Sequence, residues 1–183
     1  MVDLQKTHPF EPGRNQEVPE ELFAEIGCRL VLLQDLEMFI AFVSKVVFAE
    51  DAQGAKEAIL NADTKMLGQL IGILRKNVEI EEPFDECLRR ALSARNLFVH
   101  EFSHEFNIHT EAGAQKAIKF LVDTLDDLEE VMQVMKAVII SFGRSRSVAD
   151  REFEDYWRKY GDLNQLELNY MPRVPTLLRK RPS

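Results

Sequence analysis

Ile118-Lys-Phe-Leu-Val-Asp-Thr-Leu-Asp-Asp-Leu-Glu-Glu-Val-Met-Gln-Val-Met-Lys-Ala-Val-Ile-Ile-Ser-Phe142 carries the clearest periodicity in the chain. Ile118, Leu121, Leu125, Leu128, Met132, Met135 and Ile139 recur at alternating steps of three and four, the spacing that returns side chains to one face of an α-helix. A seam of about three heptads reads as the core helix of a bundle rather than an extended coiled coil. Thr110 followed by Glu111 offers an N-cap and an acidic first turn, so this fourth helix is expected from there to about Phe142.

Upstream, the pattern repeats three times. Pro19 with Glu20 and Glu21 marks a helix start, and Phe23, Ile26, Leu30, Leu33, Leu36, Ile40, Val43 and Val47 form a stripe to about Phe48. Phe39, Phe42 and Val46 add a second stripe, so the later half of this helix is apolar on more than one face. Asp51–Gly54 reads as a turn. A second helix is expected over Ala55–Lys76, bent near Asn61–Asp63, with Leu67, Leu70, Ile71 and Leu74 on one side. After a link at Val78–Glu82, a third helix enters through Pro83 and carries Phe84, Leu88, Leu92, Phe98, Val99 and Phe102, until Phe106–His109 breaks the pattern. Downstream, Gly143–Ser147 ends the bundle and Val148–Tyr160 reads as a short fifth helix, with the remainder irregular. No segment alternates like a strand. The expected fold is all-α, an antiparallel bundle of four to five helices, with a polar lead over 1–18, the bundle over 19–142 and a C-terminal extension over 143–183.

The chain has 183 residues and a formal charge of -8, with 23 Lys and Arg against 31 Asp and Glu, and 45% hydrophobic content. That composition suits one globular domain and excludes a disordered acidic chain. It also argues against a strongly basic nucleic-acid binder, because such affinity comes from Lys and Arg displacing counterions from phosphates. The charge is uneven: residues up to Phe142 hold 14 basic and 25 acidic side chains, the rest 9 and 6. The basic end reads as a solvated extension, with an RNA or protein contact as the alternative. Cys28 and Cys87 lie in apolar helical patterns without C-x-x-C spacing, which predicts two reduced core thiols. With no secretory h-region near the start and no stretch of 18 uncharged apolar residues, the expectation is a cytoplasmic protein without a membrane partner.

Two motifs that bear on chemistry overlap in Ala94-Arg-Asn-Leu-Phe-Val-His-Glu-Phe-Ser-His-Glu-Phe-Asn-Ile-His109. In His100-Glu101-x-x-His104, two histidines one turn apart could bind zinc while Glu101 activates water. Catalytic zinc needs a third protein ligand, and the extended pattern fails because position 107 is Asn and position 110 is Thr, with His109 one residue off. In Arg95-Asn96-x-x-x-His100, guanidinium and imidazole suit phosphodiester chemistry: one grips phosphate oxygens, the other moves a proton near neutrality. On a regular helix Asn96 shares a face with His100, whereas Arg95 points about 140° away. A joint site therefore needs the helix to end here or a second copy to face the first.

The order of a long first helix, Leu67-Gly-Gln-Leu-Ile-Gly-Ile-Leu74, Ala94-Arg-Asn-Leu-Phe-Val-His-Glu-Phe102 and a helix opened by Thr110-Glu-Ala-Gly113 resembles the HEPN superfamily (higher eukaryotes and prokaryotes nucleotide-binding) over residues 20 to 142. Its specific part is Arg95-Asn96 with His100, matching the R-N-x-x-x-H signature. Where toxin branches often carry Tyr two positions after the His, this chain has Phe102. The resemblance implies a homodimer with the two signatures in a cleft, and a metal-independent endoribonuclease of toxin or defence type, restrained by an antitoxin or other regulatory protein. It implies His100 as general base or acid toward an RNA 2′-hydroxyl, Arg95 on the phosphate and Asn96 orienting either. No cofactor is expected. The resemblance gives His104 and His109 no role, and they read as polar helix-end residues. Inactive members of the superfamily act as interaction modules, which is the competing expectation.

Overall fold

The computed structural model describes residues 19–47, 67–146 and 151–181. The polar lead, the turn at Asp51–Gly54, the first part of the second helix, Phe48, Val148 and the side chain of Val46 lie outside that description.

The chain is predominantly helical. α1 (Glu20–Phe42) begins after Pro19 with Glu20 and Glu21 in its first turn, where acids offset the positive end of the helix dipole, and widens into a π turn over Val43–Val47. Its core row is Leu22, Arg29, Leu33, Leu36 and Ile40. Phe23 and Leu30, which the periodicity assigned to the seam, are instead 58% and 48% exposed. The register is fixed by Leu33, Leu36 and Ile40, and one turn before Leu33 on that face stands Arg29, whose charge hid the row from a purely apolar reading.

α2 (Leu67–Asn77) buries Leu67, Leu70, Ile71 and Leu74, the face expected of it. Val78–Ile80, expected to be a link, forms strand β1. α3 (Glu82–Asn96) is entered through Pro83 with Glu82 and Asp85 in its first turn, passes into a π turn over Leu97–Glu101, and ends in the short α4 (Phe102–Glu105).

The single fourth helix is two helices, α5 (Glu111–Asp123) and α6 (Leu125–Ser145). Thr110 caps α5 as expected: its hydroxyl accepts from the Gly113 N–H at 3.1 Å. The interruption falls at Thr124, whose hydroxyl donates to the carbonyl of Phe120 at 2.8 Å. Arg29 reaches across from α1 to donate to the Leu121 carbonyl in the last turn of α5. A hydroxyl bonded back four residues and a cation on the terminal carbonyls together close the helix, while the apolar spacing runs on across the joint.

α6 is the central element. Val134, Met135, Ala137, Val138, Ile139 and Ile140 are all buried, so this part of the helix is covered on nearly every side, as an all-round apolar helix must be. The main core joins it to α1, α2 and α3 through Leu36, Ile40, Leu70, Leu74, Leu88 and Ala91. A smaller cluster of Leu22, Phe102, Phe106, Ala114, Ala117 and Leu121 lies among α1, α4 and α5.

The region after α6 departs most from expectation. α7 (Arg151–Tyr160) is followed by α8 (Leu163–Gln165), a π turn over Leu166–Tyr170, a 3-10 turn over Met171–Arg173, α9 (Val174–Leu177) and strand β2 (Leu178–Lys180). It is neither irregular nor solvated: Trp157, Leu163, Leu166, Leu177 and Leu178 belong to the main core. β2 pairs antiparallel with β1, setting Val78 opposite Lys180, Glu79 opposite Arg179 and Ile80 opposite Leu178. Arg144 binds Glu154 with two bonds of 2.7 Å and Glu167 with one of 2.6 Å, and Arg173 reaches Glu130 of α6 at 2.7 Å. The basic end thus meets acids of the bundle and of its own segment. Its apolar residues are spread over short turns interrupted by Pro172 and Pro175, so no helical stripe runs through them, which is why the sequence pattern missed it.

Cys87 is buried as expected, but Cys28 is exposed. Among the described residues no helix is long and apolar enough to cross a membrane.

Candidate active site

Arg95 sits in the last turn of α3, His100 in the π turn that follows. An α-helix closes its hydrogen bonds over four residues, a π turn over five, so the widened turn brings the fifth residue back over the first. Arg95 Nη1 and His100 Nε2 are accordingly 3.3 Å apart within one chain. The helix neither ends between them nor needs a second copy to unite them. The 140° separation expected on a regular helix is removed by the change of helix type.

Arginine has no acceptor, so the contact requires Nη1–H to donate and Nε2 to offer its lone pair. With that polarity the contact requires the ring tautomer that carries its proton on Nδ1. Nη1 also lies 3.5 Å from Asn96 Oδ1, a long bond. His100 and Asn96 are exposed, while the Arg95 side chain keeps only 10% of its surface. The guanidinium therefore underlies the imidazole rather than standing beside it in solvent.

A buried guanidinium needs a counter-charge. Glu37 of α1 provides it, with Oε1 3.0 Å from both Nε and Nη2 of Arg95. Sequence reasoning missed Glu37. Its signal was nonetheless present, as an acid inside the apolar run Leu36-Glu-Met-Phe-Ile40. Such a residue on a core-facing helix needs a partner.

Aromatic packing holds the π turn and α4 in place. Phe102 meets the rings of Phe98 at 5.4 Å, Phe106 at 5.1 Å and Phe120 of α5 at 6.3 Å. Position 102, where the resemblance raised a tyrosine, is an apolar anchor beneath the site.

His104 lies exposed on α4 and His109 exposed in the turn before Thr110. The H-E-x-x-H residues are not on one regular helix: His100 belongs to the π turn, His104 to α4, and Glu101 between them has φ -124°. Among the described residues no three His, Cys, Asp or Glu side chains converge as metal ligands. A cation at His100 Nε2 would also face the guanidinium of Arg95 across 3.3 Å. The geometry thus unites Arg95, Asn96 and His100, leaves His104 and His109 outside, and adds Glu37. Comparison with known protein families, curated proteins and solved structures gives no match.

Proposed function

We propose that this protein is a metal-independent endoribonuclease of HEPN type, built on an antiparallel helical bundle and acting through Arg95, Asn96 and His100. The observation that supports this most is the Arg95–His100 contact across the π turn. In the reaction, Nε2 of His100 leaves the guanidinium and takes the proton of an RNA 2′-hydroxyl. The resulting oxygen attacks the adjacent phosphorus, the P–O5′ bond breaks, and the leaving oxygen takes a proton from solvent water. The products are a 2′,3′-cyclic phosphate and a 5′-hydroxyl. Arg95, held in place and freed of the ring, offers Nη1–H to the negative charge that develops on phosphorus oxygens, and Asn96 offers its amide at the same exposed edge.

A homodimer and a restraining protein partner belong to the same reading. Phe23, Leu30, Val31 and Met38 form an exposed apolar row on α1, at 48% to 58% exposure, and Glu37 borders it. Burying this row against a second copy would draw two such sites together. The two free thiols accord with the cytoplasm, where RNA is also found. The same apolar row favours a second reading, a non-catalytic module that works by binding.

Incubating the pure protein with RNA, with and without EDTA, beside His100→Ala and Arg95→Ala separates the two. Cleavage that persists in EDTA and falls by about 100-fold or more in both variants is expected. No cleavage by any preparation would leave the binding module.

A further inference from the structure

We propose that Glu37 is the positioning residue of this site: it fixes the plane of Arg95, and Arg95 in turn fixes the tautomer and orientation of His100. For its activity arm this rests on the ribonuclease reading above. Nε–H donates to Oε1 of Glu37 at 3.0 Å and Nη2 lies 3.0 Å from the same oxygen, which ties that edge of the planar group to the carboxylate and fixes its plane. With the plane locked, Nη1 can reach only to one side, and there His100 Nε2 lies at 3.3 Å. Because the donor is always a donor, the imidazole must hold its proton on Nδ1. Glu37 thus sets, through one intermediary, which nitrogen of an exposed histidine carries the lone pair.

The burial pattern points the same way. The Arg95 side chain is 10% exposed and that of Glu37 30%, whereas His100 stands in solvent. Without the carboxylate, Arg95 would be a buried charge lacking its partner and would leave its place beneath the ring. His100 would then choose its own rotamer and tautomer, and the lone pair would no longer be held ready. Glu37 touches neither RNA nor the reacting atoms in this scheme. Its effect should therefore appear in turnover rather than in substrate binding, as expected when a reacting group is misplaced by a remote change.

The test combines two readouts on the full chain. Nitrogen chemical shifts of the His100 ring report the tautomer directly, and steady-state cleavage of a short RNA reports kcat and KM separately. Wild type should show the Nδ1–H form. Glu37→Ala should shift His100 toward the mixture of a free imidazole and lower kcat by about 100-fold with KM little changed. Glu37→Gln keeps an acceptor of the same shape and should fall between the two, which guards against the alanine variant simply failing to fold. Identical His100 nitrogen shifts in all three proteins would overturn the proposal, as would faster cleavage in Glu37→Ala, the mark of a brake. If the shifts respond while wild type cleaves no RNA, the positioning role stands and the ribonuclease reading falls.

Discussion

At the scale of single residues, the two cysteines show how environment separates like groups. Burial, and then the Asp127 carboxylate beside it, push the Cys87 thiol up to about 12. In the unfolded chain the same thiol ionises near 8.5. Between these values the unfolded state releases a proton that the folded state keeps, so stability falls as pH rises from about 9 to 12. Chemical denaturation across that range should show the decline, and Cys87→Ala should flatten it. At neutral pH a disulfide-exchange reagent should label exposed Cys28 rapidly and Cys87 only on unfolding. Phe102 belongs to this scale too. It is buried with three aromatic neighbours, and Phe102→Ala should cost about 3 kcal/mol in a denaturation experiment while loosening the support of the π turn. The sequence alone showed Arg95, Asn96 and His100 as a set because they are close along the chain. Glu37 stayed hidden because its partner is 58 residues away, and pairing over that distance is a property of packing.

At the scale of elements, most of the helices were legible and their joints were not. The face of α2, the Pro83 entry to α3 and the Thr110 cap of α5 follow from local rules and appear as those rules require. Gly113 shows how tightly that cap is built: a Cβ there would lie 1.9 Å from the Asn107 carbonyl oxygen. Thr110→Ala should therefore cost about 1 kcal/mol. Gly113→Ala, which forces backbone apart, should cost more than Thr110→Ala in the same denaturation series. The π turn at Leu97–Glu101 and the break at Thr124 were not legible, since neither alters the apolar spacing enough to be seen. Both depend on side chains that bond back to the helix or pack beneath it. The π turn matters most, because it alone converts a five-residue spacing from opposed faces to one contact.

At the scale of the whole molecule, the net charge of -8 conceals an internal match: a basic C-terminal region folds onto an acidic bundle and contributes Trp157, Leu166 and Leu178 to its core. Single-residue periodicity does not register a segment that buries one or two residues per short turn, so this closure was read as a solvated extension. Arg144 links α6 to Glu154 and Glu167 and is about one-third exposed. After allowing for solvent screening, Arg144→Ala should cost about 1–2 kcal/mol, and the loss should shrink in high salt. Limited proteolysis should then cut first within the C-terminal region. The charge balance speaks against tight, unspecific RNA binding and suits the proposed site, which would engage one phosphate at a time. The nature of the products tests the proposed site most directly. A short RNA is incubated with the protein in EDTA beside the same oligomer made with 2′-deoxyribose, and the ends are identified by mass. The expected result is 2′,3′-cyclic phosphate and 5′-hydroxyl ends from RNA, an intact deoxy oligomer, and loss of both products in His100→Ala. Uncut RNA, 5′-phosphate ends, or unchanged cleavage by His100→Ala would contradict it.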